Sequence, residues 1–252
     1  VTRLRKAALA LAVATGLLAA TGSASAAAHH HGNVTCHRGT VAAGTYRSLA
    51  IAGSCTLASS GTVTVRHDLV IRRAAFFNAA TAATLNVRGD VWVKAHAVAI
   101  LGCSTDLGCA ATSDNHIRGD LTAAGAWATV VHGTTTRGDV RFLGGGGSED
   151  CSITPILGQV PYYTTYQDGA IGGDFTVRRL HTCWFGLIRV HVGGNALMVG
   201  GRFGDPDAME VVTNVIGGNL GCFNNVPQAQ VGDSTGAPNI VGGHKRGECA
   251  NL

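Results

Sequence analysis

Between residues 202 and 210 the chain carries its densest acidic group outside any repeat: Arg202, then Gly204-Asp205-Pro206-Asp207-Ala208-Met209-Glu210. Pro206 forces a turn, so the carboxylates of Asp205, Asp207 and Glu210 can converge at a strand edge. Paired carboxylates act as acid and base on a glycosidic bond, and Arg202 would serve as the basic neighbour. The same oxygens suit Ca²⁺, which takes several oxygen ligands. The plain alternative is a polar loop with its acids in water.

Other chemistry-bearing residues are scattered. Tyr162, Tyr163, Tyr166, Trp184 and Phe185 gather between residues 160 and 185. Exposed, they would form a platform on which sugar rings stack; buried, they would cap the core beneath a loop, which is the preferred reading. His132 with a Ser and an Asp would make a triad, but no GxSxG elbow supports it. His29, third in a chain cleaved after Ala26, would chelate Cu²⁺ in a square plane with the terminal amine and two amides. The plain alternative there is a polar tail. No HExxH spacing occurs.

Three Arg-Gly-Asp triplets, at 88–90, 118–120 and 137–139, are one phase of a longer phrase. It reads apolar, any, Gly, Asp or Asn, apolar, any, apolar. Copies are Val87 to Val93, Ile117 to Ala123, Thr136 to Phe142, Ile171 to Val177, Val192 to Met198 and Ile216 to Cys222. Looser copies lie at Val65 to Ile71 and near Val241 to His244. The repeat explains the triplet without an integrin-type receptor. It also predicts a surface charge ladder of Arg88, Arg118 and Arg137 with Asp90, Asp120 and Asp139, each pair contributing little. The Asp/Asn positions could line up for cations, but the stronger reading is that they satisfy backbone groups at each bend.

The elements follow from the phrase. Its Gly positions are 67, 89, 119, 138, 173, 194, 218 and 243, with steps of 22, 30, 19, 35, 21, 24 and 25. Apolar alternation on both sides of the Gly means strand, and the Gly-Asp or Gly-Asn pair means a bend in which Gly accepts positive φ. Gly is 36 of 252 residues and Pro only 5, and no sustained helical stripe follows the first 30 residues. The expected fold is a single-domain right-handed parallel β-helix, a solenoid with irregular coils of 19 to 35 residues. A left-handed β-helix, a leucine-rich repeat and a β-sandwich fit the uneven steps and the phrase less well. Segments 103–116 and 144–168 are expected as inserted loops.

The ends point to export. Residues 1–26 read as a secretory signal: Arg3, Arg5 and Lys6, an apolar stretch Ala7 to Ala20, and Ala24-Ser25-Ala26. Residues 27–252 are then one domain, expected to be released and without a membrane span. Cleavage takes 19 basic residues to 16 against 15 acidic, so charge gives no case for nucleic acid or an anionic membrane. Eight cysteines remain: Cys36, Cys55, Cys103, Cys109, Cys151, Cys183, Cys222 and Cys249. An even count in an exported chain reads as four disulfides. Sequence alone leaves the pairing open; contact between neighbouring coils favours 36–55, 103–109, 151–183 and 222–249, the first and last clipping the ends.

The residues Gly204-Asp205-Pro206-Asp207, Thr213 to Leu220, and Pro227 to Ser234 continuing through Pro238 to Gly243 and Cys249 carry a resemblance. On them the chain resembles a group of uncharacterised secreted actinobacterial β-solenoid proteins. That resemblance implies the solenoid and transfers no activity. The expected role is a non-catalytic extracellular binding or surface-associated structural β-helix with a polysaccharide or cell-wall glycan as partner. The alternative is a polysaccharide lyase or glycoside hydrolase on the same fold.

Overall fold

The computed structural model describes residues 30–105, 108–156, 160–232 and 236–252. The expected signal segment 1–26 and His29 lie outside them. Among the described residues there is no α-helix, and the chain ends in a short 3-10 turn, Glu248–Asn251.

Alternation drives the strands. In Thr84–Val87 and Val140–Leu143, every second side chain is buried and its neighbour is half exposed. Each copy of the phrase lies directly on the previous one. Its first apolar residues form one inward column, Tyr46, Val65, Val87, Ile117, Thr136, Ile171, Val192, Ile216 and Val241, in register from turn to turn. Parallel columns run through Leu69, Val91, Leu121, Val140 and Phe175, and through Ile71, Val93, Ala123, Phe142 and Val177. Most of these side chains are fully buried. Rings fill part of the interior: Phe142, Phe175, Phe185 and Phe203 follow one another with centroids 5.7, 6.3 and 5.8 Å apart.

The expectation of an open right-handed β-helix built from separate short-strand coils is corrected. Among the described residues the strands join into one continuous 22-stranded sheet, closed around the core like a barrel wall, with a separate two-stranded sheet beside it. Continuity comes from long strands, His30–Val41, Gly44–Leu57, Tyr163–Ile171 and Trp184–Val192, which run through corners. Gly44–Leu57 alone pairs with three successive strands of the following turn. Among the described residues the pairings between these strands are parallel, and an isolated bridge between Ile156 and Val160 is antiparallel.

The bends also differ from expectation. The phrase glycines do not need positive φ; they need space. A Cβ on Gly119 would lie 2.1 Å from Asp90 Oδ1, and one on Gly173 2.0 Å from Asp139 Oδ1. Each Asp or Asn lies over the preceding turn's acceptor: the backbone N–H groups of Asp90, Asp120, Asp139, Asp174, Asn195, Asn219 and His244 donate in turn to Oδ1 of Asp68, Asp90, Asp120, Asp139, Asp174, Asn195 and Asn219. His67 can replace Gly in the first copy because the turn beneath offers Arg47-Ser48 and no Asp. Positive φ occurs instead at two other corners. One is Ala74, His96, Gly125, Gly144, Arg179, Gly200 and Asn224; the other is Gly102, Gly133, Asp168, Arg189 and Thr213. Their backbone bonds link turn to turn, as from His96 N to Gly125 O and from Gly200 N to Phe223 O.

The four disulfides are Cys36–Cys55, Cys103–Cys109, Cys151–Cys183 and Cys222–Cys249, the pairing favoured from neighbour contact. Of the 144–168 segment expected as a loop, the last residues are strand, part of Tyr163–Ile171, and Ile156, Val160 and Tyr162 pack against the outside of the wall. Ile156 seals Val98, Ile100, Ala128 and Val130, with Val160, Tyr162 and Tyr163 packed around them.

Candidate anion-binding surface

The outward residue that follows the inward column is arginine on five successive turns: Arg47, Arg66, Arg88, Arg118 and Arg137. Backbone bonds fix their register, from Arg66 N to Tyr46 O, Arg88 N to Val65 O, Arg118 N to Val87 O and Arg137 N to Ile117 O. Each follows a buried neighbour, so alternation sends its side chain to solvent, and all five are exposed. At the usual strand spacing of about 4.8 Å the column runs about 19 Å.

The expected Arg–Asp ladder is corrected. Among the described residues, none of the five arginines makes an ion pair. The Asp Oδ1 atoms accept backbone N–H groups, and the ion pairs of Asp120 and Asp139 go to Arg141, whose Nη1 lies 2.6 Å from Asp120 Oδ2 and whose Nη2 meets Asp139 Oδ2. Burial opposes ionisation of Asp120, but the Arg141 bond and the Asp139 N–H together hold its carboxyl below the usual range.

Beside the arginines runs a second outward column, Thr45, Thr64, Asn86, His116 and Thr135. Together they line two grooves. One of about 300 Å³ includes Asn86, Arg88, His116, Arg118 and Arg137. Another of about 460 Å³ includes His31, Thr45, Arg47 and Arg66. His31 closes that end by stacking on Tyr46, with centroids 4.6 Å apart. Guanidinium groups offer forked donors that match carboxylate, sulfate and phosphate oxygens, while hydroxyl and amide groups alongside suit ligand hydroxyls.

The residues singled out from sequence lie elsewhere. Arg202 is exposed on the two-stranded sheet, opposite His181. Asp205 Oδ1 accepts the N–H of Asp207 at 2.9 Å, closing the turn on itself, and Gln230 Nε2 clamps it through Pro206 O and Ala208 O. Glu210 is buried, 1% exposed, against Gly232. Among the described residues the one trio of ligand-type atoms lying within 4.8 Å of each other is Cys151, Cys183 and Asp205, so Asp205, Asp207 and Glu210 do not gather into a cation cage. That trio does not fit Ca²⁺ or Cu²⁺: its two sulfurs are spent on a disulfide and one carboxylate remains. Tyr166 is sealed in the core, its hydroxyl 2.8 Å from Thr134 O, and burial raises its pKa. Tyr163 and Trp184 meet at 6.3 Å on the flank, and Tyr162 stands edge-on to Trp127. His132 pairs with Ser104 at 3.0 Å, but both are sealed from solvent.

Sequence reasoning missed the arginine column because it read the triplets as internally paired. The visible signal was that Arg66 extends the series to a copy lacking Gly, and Arg47 to a turn lacking the phrase.

Against protein-family models, curated proteins and solved structures, the chain finds no match. The resemblance to secreted actinobacterial β-solenoid proteins is therefore set aside. So is the role drawn from it, a binding or structural β-helix with a lyase or hydrolase as alternative: it rested on an architecture the continuous closed sheet replaces, and no activity follows from the sheet alone.

Proposed function

We propose that the arginine column binds a linear polyanion, an acidic glycan bearing carboxylate or sulfate groups. The observation that carries this reading is five exposed arginines on successive turns with no ion partner among the described residues. Five like charges at strand spacing repel by up to roughly 1 kcal/mol per neighbouring pair even in water, a cost an anionic chain relieves. The Thr, Asn and His column beside them favours a hydroxyl-rich polymer. Single-stranded nucleic acid would call for stacking aromatics, and the residues lining the arginine groove of about 300 Å³ include no Phe, Tyr or Trp.

The setting we propose is extracytoplasmic. Four disulfides with no free cysteine suit an oxidising compartment. No described helix is long and apolar enough to cross a membrane.

The test is binding of the oxidised protein to dextran sulfate, polygalacturonate, neutral dextran and single-stranded DNA at low and moderate salt. Retention by the acidic glycans alone, weakening with salt, supports the reading. Equal retention by neutral dextran, or binding to DNA alone, overturns it.

A further inference from the structure

Beyond Arg137 the two outward columns change character. The arginine positions become Gly172, Gly193, Gly217 and Gly242, and the Thr/Asn/His positions become Ala170, His191, Val215 and Ile240. The glycines are required by packing. A Cβ on Gly172 would lie 2.2 Å from Arg137 O, on Gly193 2.4 Å from Gly172 O, and on Gly217 2.5 Å from Gly193 O. The result is a floor of bare backbone whose N–H groups are already spent: those of Gly172, Gly193 and Gly217 each donate to the preceding turn at 2.8 Å. Such a floor offers contact and burial but no free donor.

This half holds a cavity of about 430 Å³, lined by Ala170, Ile171, Val192, Val215 and the first three of those glycines, with Arg137 and His191 its titratable groups. Arg137 also lines the cationic groove, so the two join at that residue. Val215 and Ile240, apolar side chains that folding normally hides, stand 37% and 68% exposed along the same column.

We infer that the strip takes an anionic amphiphile, its charged head at Arg118 and Arg137 and its hydrocarbon tail along the glycine-floored half. The inference rests on the arginine reading for the head and on the apolar groove for the tail. It commits to an acyl or alkyl chain because the groove has one cationic end and no free backbone donor on its floor.

The probes are octyl phosphate below its aggregation concentration, ethyl phosphate, neutral octyl maltoside and dextran sulfate, titrated into the oxidised protein. Octyl phosphate should bind at least about tenfold more tightly than ethyl phosphate, since each buried methylene contributes to affinity. Val215→Asp should abolish that gain and leave ethyl phosphate and dextran sulfate unchanged. Arg137→Gln should weaken both phosphates. Equal affinity for the two phosphates while dextran sulfate still binds overturns the amphiphile and leaves the arginine reading standing. Failure of dextran sulfate as well removes both. Octyl maltoside binding as tightly as octyl phosphate, or a dimer that octyl phosphate merely dissociates in sedimentation, also overturns the inference, the second outcome assigning the apolar half to another copy of the chain.

Discussion

One surface strip carries arginine on five turns and glycine on the next four, at the same backbone position. In the glycine half the position is dictated from beneath, because a Cβ would strike the carbonyl of the preceding turn. In the arginine half side chains are tolerated, and the outward face asks only for solubility. Five arginines without ion partners among the described residues go beyond that demand. The difference teaches where the fold constrains the residue and where it leaves the residue free to serve a ligand.

The largest effect should come from placing a side chain where the floor excludes one. Gly193→Ala is expected to destabilise by about 2–3 kcal/mol, as overpacking against backbone does, while Arg118→Ala stays within about 0.5 kcal/mol. Urea denaturation of the two variants compares the halves directly. Equal losses would mean that both halves are structural.

Next in size is the Asp/Asn ladder that flanks the strip. Asp90→Ala leaves the Asp120 N–H without its acceptor and should cost about 1–3 kcal/mol. Asp90→Asn keeps an acceptor and should cost much less. This ladder was largely legible in the sequence, because its period and its role at the bends follow from the phrase alone. The reason for the Gly was not. Positive φ was the usual explanation, whereas the glycine leaves room for the Asp of the turn below, and only stacking reveals that neighbour. The left-handed corners gave only a partial signal: Gly125, Gly144 and Gly200 share one column with Ala74, His96, Arg179 and Asn224, which have no residue type in common. The disulfide pairing was legible because turns touch only their neighbours. The acid cluster misled, since proximity in sequence said nothing of Glu210 turning inward while Arg202 turns out.

A smaller effect concerns pH. The Asp120 carboxyl is held below its ordinary value, with burial opposing and the Arg141 and Asp139 bonds prevailing. Its contribution is therefore fully present above the unfolded value near 3.9 and is lost as pH falls through the lower folded value. Asp120→Asn should therefore lower the melting temperature slightly at neutral pH and flatten the acid limb of the profile, the two proteins converging at the acid end. An unaltered acid limb would show that Asp120 is not stabilised by its partners.

Smallest in stability is the arginine half itself. Arg66→Gln/Arg88→Gln/Arg118→Gln should raise the melting temperature slightly at low salt, through relief of repulsion, and the gain should vanish at high salt. A fall at low salt would mean that the arginines hold the wall together.

The most direct measurement is the salt dependence of dextran sulfate affinity for the unsubstituted chain and for variants losing one, two and three of Arg66, Arg88 and Arg118. A column acting as one polyanion site predicts a slope of log affinity against log salt that shrinks by about one for each arginine removed. A slope that stays the same through all three substitutions would place the polyanion elsewhere and contradict the account.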